Sequence, residues 1–249
     1  MLCLSYNAPH WPWEGPRDKD LSDEIAGHDS QRTWLETGTA ENYAEVMWSL
    51  DAGVGSVLQA LKDAKLARNT LVFFCGDQGG DEMSYLAHLR RGRLHEGGIR
   101  VPLIISWPGV VPPNRESAQV VTGLDLSATI LSVAKVKPHS DYPLDGDDLL
   151  LILLNKKKTY PRKIFWRHSG NPRPGIPFQC ALRDGDWKYL RVGKEEYLFD
   201  LATDEGETKD LKKKYSKKLA ELRTAYQRWE AEMLPYDKEA KDFKRVVFR

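Results

Sequence analysis

Asp77 and Gln78 stand side by side, one glycine beyond the apolar run Leu71 to Cys75 and directly before Gly79 and Gly80. A carboxylate beside a side-chain amide oxygen offers two hard oxygen donors suited to Ca²⁺ or Mg²⁺, and the glycines would let backbone approach an ion closely. The same four residues also suit an ordinary turn in which Asp77 hydrogen-bonds the backbone. His10 lies between Pro9 and Pro12 at the end of another apolar run. An imidazole held there can bind an anion or move a proton, or it can simply pack. Arg90, Arg91, Arg93 and Arg100 crowd the glycine-rich stretch "LRRGRLHEGGIRVP", residues 89–102. Planar guanidinium forks match tetrahedral oxyanions, and a solvated basic loop fits the pattern equally well.

These residues need a scaffold, and the hydrophobic periodicity supplies one. "LCLSY" (2–6) has strand character and empties into "NAPHWPWEGP", where three prolines forbid a regular helix or central strand. From Glu41 to Lys65, apolar residues such as Val46, Leu50, Val57, Leu58 and Leu61 recur at three- and four-residue intervals, which predicts one long amphipathic helix. Thr39 suits its N-cap, and Gly53 and Gly55 inside it suit close packing against a neighbour. "NTLVFFC" (69–75) and "RVPLIISW" (100–107) read as buried strands, so strand, helix and strand in this order predict a βαβ unit and a parallel sheet. "LDLSATILSVAKV" (124–136) predicts a further helix.

The texture changes near residue 160, which divides the chain into domains 1–159 and 160–249. "KIFWRH", "FQCALR", "WKYLRV" and "EYLFDL" are short strands, and Asp184-Gly185 between two of them is a hairpin signal. Leu219, Leu222, Tyr226, Trp229 and Met233 share one face of a closing helix that starts near Ser216 and covers this antiparallel sheet. Trp166, Phe178 and Trp187 are read as its core packing rather than as a sugar-stacking platform. The fold class is α/β: a parallel-rich sheet, partial in this chain, flanked by helices, then a small antiparallel sheet with a C-terminal helix.

Bulk properties narrow the partners. The 249 residues carry 37 Lys and Arg against 36 Asp and Glu, a balance that points to neither nucleic acid nor an anionic membrane. The lysine runs at 156–158 and 212–214 read as solvated faces. No apolar stretch approaches the roughly 20 residues needed to cross a bilayer. Cys3, Cys75 and Cys180 match no zinc spacing, and each sits inside an apolar run, so all three are expected to be buried thiols.

Taken in order, "LCLSYNAPHWPWEGP", "YAEVMWSLDAGVGSVLQALKDAKLARNTLVFFCGDQGG", "LHEGGIRVPLIISWPG", "VTGLDLSATILSVAKV" with "PLDGDDL", and "ALRDGDWKYLRV" with "YLFDLATDEGETKDL" resemble the C-terminal portion of a type I, formylglycine-dependent sulfatase. That family belongs to the alkaline phosphatase superfamily, and the blocks span nearly the whole chain. The resemblance implies that His10 contacts a sulfate ester and assists its leaving-group oxygen. It implies that Asp77 and Gln78 ligate a divalent metal, usually calcium, although the family has Asn or His where Gln78 stands, one methylene shorter in the case of Asn. Counting back from Glu96 to the family's sulfate-binding lysine gives Arg91, which keeps the charge and changes the reach.

The family's nucleophile, a Cys or Ser in C/S-x-P-x-R that becomes formylglycine, has no counterpart in this sequence. The expectation is therefore a chain that begins partway through a domain and is inactive alone, taken from a sulfuric ester hydrolase of sulfated small molecules or carbohydrates. Alternatives are a non-catalytic remnant that binds an anionic sugar or partner, and a phosphate or phosphonate ester hydrolase of the same superfamily. Kinship suggests a periplasmic, lysosomal or extracellular setting.

Overall fold

The computed structural model describes residues 1–10, 13–17, 39–79, 94–168 and 177–234. The chain forms two compact units: residues 1–73 with 105–111, and residues 74–104 with 112–249. Among the described residues, no helix is long and apolar enough to cross a membrane.

In the first unit, α1 (Ala40–Asp63) starts where the sequence predicts. The Asn42 N–H donates to Thr39 Oγ1 at 3.3 Å, and the Thr39 N–H donates to Asn42 Oδ1 at 2.9 Å, a reciprocal cap that satisfies two otherwise orphaned donors. Val46 and Leu50 are buried, whereas Met47 and Leu58 stay exposed, so only part of the predicted apolar stripe is covered. The two helix glycines differ: a β-carbon on Gly53 would meet the Tyr6 ring at 3.0 Å, while Gly55 has nothing within 4 Å. Residues 1–7 form no strand and are exposed, contrary to the sequence expectation. Apolar β character alone does not make a strand; a ladder partner is required to satisfy its backbone.

β1 (Val72–Cys75) and β2 (Leu103–Ser106) pair in a two-stranded sheet, each shorter than the apolar run that contains it. Between them lies the one-turn helix α2 (Glu96–Ile99). Further along come α3 (Gly123–Val133) and the short α4 (Leu150–Leu153).

The second unit is dominated by a four-stranded antiparallel meander: β3 (Lys163–His168), β4 (Gln179–Asp184), β5 (Trp187–Val192) and β6 (Glu195–Asp200). Asp184 pairs with Trp187, which leaves Gly185-Asp186 as a two-residue loop, and Gly185 has φ +60°, the left-handed region that hairpin turns demand. Both faces are buried, and strand alternation sorts them. Cys180, Leu182, Tyr189 and Leu198 face α5 (Ser216–Glu232) and meet its Leu219, Leu222 and Tyr226. Ala181, Leu190 and Phe199 form the opposite face with Leu94 and Leu201. Phe178 and Trp187 pack on the first cluster and Trp166 on the second, the core role read from the sequence. Of the cysteines only Cys180 is buried; Cys3 and Cys75 are exposed, a correction: Cys3 lies on residues that form no strand, and Cys75 is the last residue of β1.

Candidate functional site

β1 delivers the chain to Gly76, whose N–H donates to the Pro102 carbonyl at 3.3 Å. Asp77 and Gln78 follow, both exposed. Gly79 is buried, and its N–H donates to the Gly98 carbonyl at 3.0 Å. A β-carbon at Gly79 would lie 1.7 Å from the Gly97 oxygen, so any other residue would push the two backbones apart. The glycine therefore serves contact with α2, where the sequence reading assigned it to the approach of an ion. Gly80 lies outside the described residues.

What fixes α2 is a buried cluster of charge. Glu96 is 2% exposed, and its Oε1 accepts from Lys188 Nζ at 2.8 Å. The Lys188 side chain is fully buried and also pairs with Glu207 Oε1 at 2.8 Å. Glu207 Oε2 in turn accepts the Glu96 backbone N–H at 2.6 Å, one of the donors that a helix start leaves unsatisfied. Arg183 and Arg100 lie 3.6 and 3.8 Å from Glu96 Oε2. Just upstream, the Leu94 N–H donates to Gln179 Oε1 at 2.9 Å. Burial pushes the Glu207 carboxyl above its ordinary value, and Lys188 opposes that rise. Two carboxylates around one buried ammonium leave guanidinium groups to complete the balance.

A separate network explains the "TGLDL" and "PLDGDDL" blocks. Asp125, fully buried, accepts from the Thr122 N–H at 2.6 Å, the Asp147 N–H at 2.8 Å and Arg162 at 2.7 Å. Tyr160 donates to Asp147 at 2.7 Å, and burial together with that carboxylate raises the phenol to about 12. A β-carbon on Gly146 would sit 2.2 Å from the Leu124 carbonyl oxygen. These residues fasten α3 to the chain that follows it.

His10 is exposed in a turn whose His10 N–H donates to the Asn7 carbonyl at 2.9 Å, and it belongs to the first compact unit, whereas Asp77 belongs to the second. Arg91 lies outside the described residues. Among the described residues, no three His, Cys, Asp or Glu side chains gather as a metal-binding group. The donors at hand still fit a hard divalent cation: a carboxylate and an amide oxygen, exposed, on backbone tied down at Gly79. Two such donors would fill only part of the shell of about six to eight oxygens that calcium takes.

In the sequence Glu96 serves only as a landmark, and no local motif singles out Lys188, Gln179 or Glu207. A signal existed: Lys188 alternates with Tyr189 and so shares a face with Leu190, and Gln179 likewise shares a face with Ala181. Polar residues at inward positions of a sheet buried on both sides must have partners.

Residues 1–136 match the sulfatase family profile, and residues 88–232 match that of N-sulphoglucosamine sulphohydrolase, C-terminal. Over 152 residues the chain is 36% identical to N-acetylgalactosamine-6-sulfatase of Sus scrofa, covering 57% of this chain and 28% of that protein. Over 208 residues it is 30% identical to the uncharacterized sulfatase YdeN of Escherichia coli (strain K12), covering 79% and 34% respectively. The crystal structure of Ps i-CgsB matches with a TM-score of 0.72 at 26% identity, over 91% of this chain and 49% of that one, and the same protein has been solved in complex with k-i-k-neocarrahexaose. The chain thus spans less than half the length of each of these relatives.

Proposed function

This chain belongs to the sulfatase family, and on that premise we propose that it provides one set of the metal and substrate ligands of a sulfuric ester hydrolase acting on a sulfated carbohydrate. The carrying observation is the exposed Asp77–Gln78 pair at the end of β1, on backbone pinned through Gly79. Asp77 contributes a carboxylate oxygen and Gln78 an amide oxygen to a divalent cation, calcium by family resemblance. The cation, when bound, supplies positive charge against the sulfate oxygens. Arg91 holds a sulfate oxygen through its guanidinium, which stays charged at every working pH. His10 would pass a proton to the ester oxygen as a nucleophile supplied from outside these residues bonds to sulfur and the S–O bond to the alcohol breaks, so the alcohol would leave neutral. Formylglycine, the attacking group of this family, has no motif within these residues, so the chain by itself is proposed to turn over no sulfate ester. The substrate class is carried over from the sulfatases named above and from the oligosaccharide complex of Ps i-CgsB.

Calcium titration calorimetry of the chain and of Asp77→Asn tests this reading. The expected result is weak binding, roughly millimolar for an incomplete oxygen set, that disappears in the variant. Equal heats from both proteins remove Asp77 from any metal site. Turnover of a chromogenic aryl sulfate by the isolated chain, lost in His10→Ala, would contradict the inactive state; turnover of a phosphonate ester instead would favour the sister chemistry of the superfamily.

A further inference from the structure

The strongest unused feature of the molecule is the fully buried Lys188, whose ammonium no surface or substrate role explains. We propose that Lys188 is a positioning residue for the Asp77–Gln78 donors, acting from the antiparallel sheet through Glu96 and the Gly98–Gly79 hydrogen bond. The proposal rests on the reading of Asp77 and Gln78 as cation ligands.

The chain of contacts is short and has no slack. Lys188 Nζ lies 2.8 Å from both Glu96 and Glu207, and Glu207 also takes the Glu96 backbone N–H at 2.6 Å, so side chain and backbone of Glu96 are held by the same pair. Upstream, Gln179 on β4 holds the Leu94 N–H. Glu96 begins the single turn α2, and that turn is too short to hold its own position by internal hydrogen bonds. Its next residues, Gly97 and Gly98, press against Gly79 with no room for a methyl group, and the Gly79 N–H donates to Gly98. Gly79 is the residue immediately after Gln78. The sheet thus sets where α2 sits, and α2 sets where the two donors end. An ammonium shared by two buried carboxylates suits this task because its removal leaves like charges facing each other in a desolvated site, which drives α2 away.

Lys188→Met keeps the length and apolar stem of the side chain and removes the charge. Gly79→Ala pushes on the same contact from the other side, without touching the sheet core. Three measurements on the full chain go together: thermal unfolding, Gly79 amide hydrogen exchange by NMR in metal-free buffer, and calcium affinity by calorimetry with Asp77→Asn as reference. Loss of an outer support of this kind costs about tenfold or more in metal affinity. The expected result is a folded Lys188→Met with faster Gly79 exchange and calcium affinity lowered about tenfold, a similar loss in Gly79→Ala, and a double variant no weaker than the worse single, because both act through one contact. Losses that multiply in the double variant overturn the proposal, since the two changes then act independently. Affinity sensitive to Asp77→Asn but not to Lys188→Met also overturns it and leaves the cation reading intact. If Asp77→Asn itself changes nothing, the cation reading fails and this proposal falls with it. Should Lys188→Met not fold, Gly79→Ala decides: unchanged affinity there overturns the proposal.

Discussion

Arg162→Met is the sharpest test of the view that the "TGLDL" and "PLDGDDL" blocks are structural and stand apart from the proposed cation site. Arg162 donates to Asp125 at 2.7 Å, with the Asp125 side chain fully buried and that of Arg162 14% exposed. Removing one partner of a buried pair costs about 3–5 kcal/mol when the remaining charge is stranded. Two backbone donors, from Thr122 and Asp147, stay on the Asp125 carboxylate, and the partial exposure of Arg162 lets water take part of its place. Those donors reduce the expected loss to about 2–3 kcal/mol. The second contact of Arg162, 3.5 Å to an Asp147 carboxylate that is 47% exposed, adds at most a few tenths. Urea unfolding reads the loss as a fall in midpoint of about 1 M, since a chain of this size has a slope of roughly 3 kcal/mol per molar. Asp125→Asn in the Arg162→Met background removes the stranded charge, so the double variant should recover about half of the loss. Calcium affinity should not move in any of these variants. A midpoint change worth less than about 0.5 kcal/mol in Arg162→Met refutes the burial argument, because only surface ion pairs are that cheap to break.

Acid stability and core packing give two further expectations. Burial alone would raise the Glu196 carboxyl, but hydrogen bonds from Arg223 and Tyr189 outweigh it and hold the group below its ordinary value of 4.5. Its folded-state value thus lies under the unfolded one, so its contribution is whole above about pH 4.5 and is lost as the pH falls through the folded value. Glu196→Gln should flatten the acid limb of a stability–pH curve measured by denaturant titration; an unchanged limb contradicts the assignment. Leu222, fully buried between α5 and the meander, should cost about 2–5 kcal/mol as Leu222→Ala, read as a lower thermal midpoint, and a loss under about 1 kcal/mol would mean that α5 does not seal that face.

Where local chemistry decides the structure, the sequence was readable. The Thr39 cap, the Gly185 hairpin and the start of α5 at Ser216 each follow from residue types within a few positions, and all are found. Membership of the sulfatase family was legible because its blocks keep their order. Long-range partnership was not. Residues 2–6 have strand composition without a ladder partner, and Cys3 is exposed as a result. The burial of Lys188 could not be read from its strand, because alternation alone does not say that both faces of a sheet are covered. Gly79 was read as room for an ion, but the limit on its size comes from Gly97 and Gly98, which lie almost twenty positions away in sequence. Asp77 and Gln78 can be singled out from type and position alone, whereas the cluster that holds α2 against Gly79 is assembled from α2, β4, β5 and the loop that carries Glu207.

The meander joins β4 to β5 and β5 to β6 through loops of two residues, so the partners within these two hairpins are near neighbours in the chain. Closing such small loops costs little entropy, and domains rich in them assemble quickly. Pairing β1 with β2 instead requires the whole segment between Cys75 and Leu103 to be gathered first. The β4–β5 and β5–β6 hairpins are therefore expected to form before β1 pairs with β2, so in a pulsed hydrogen-exchange refolding experiment the amides of β5 should gain protection ahead of those of β1.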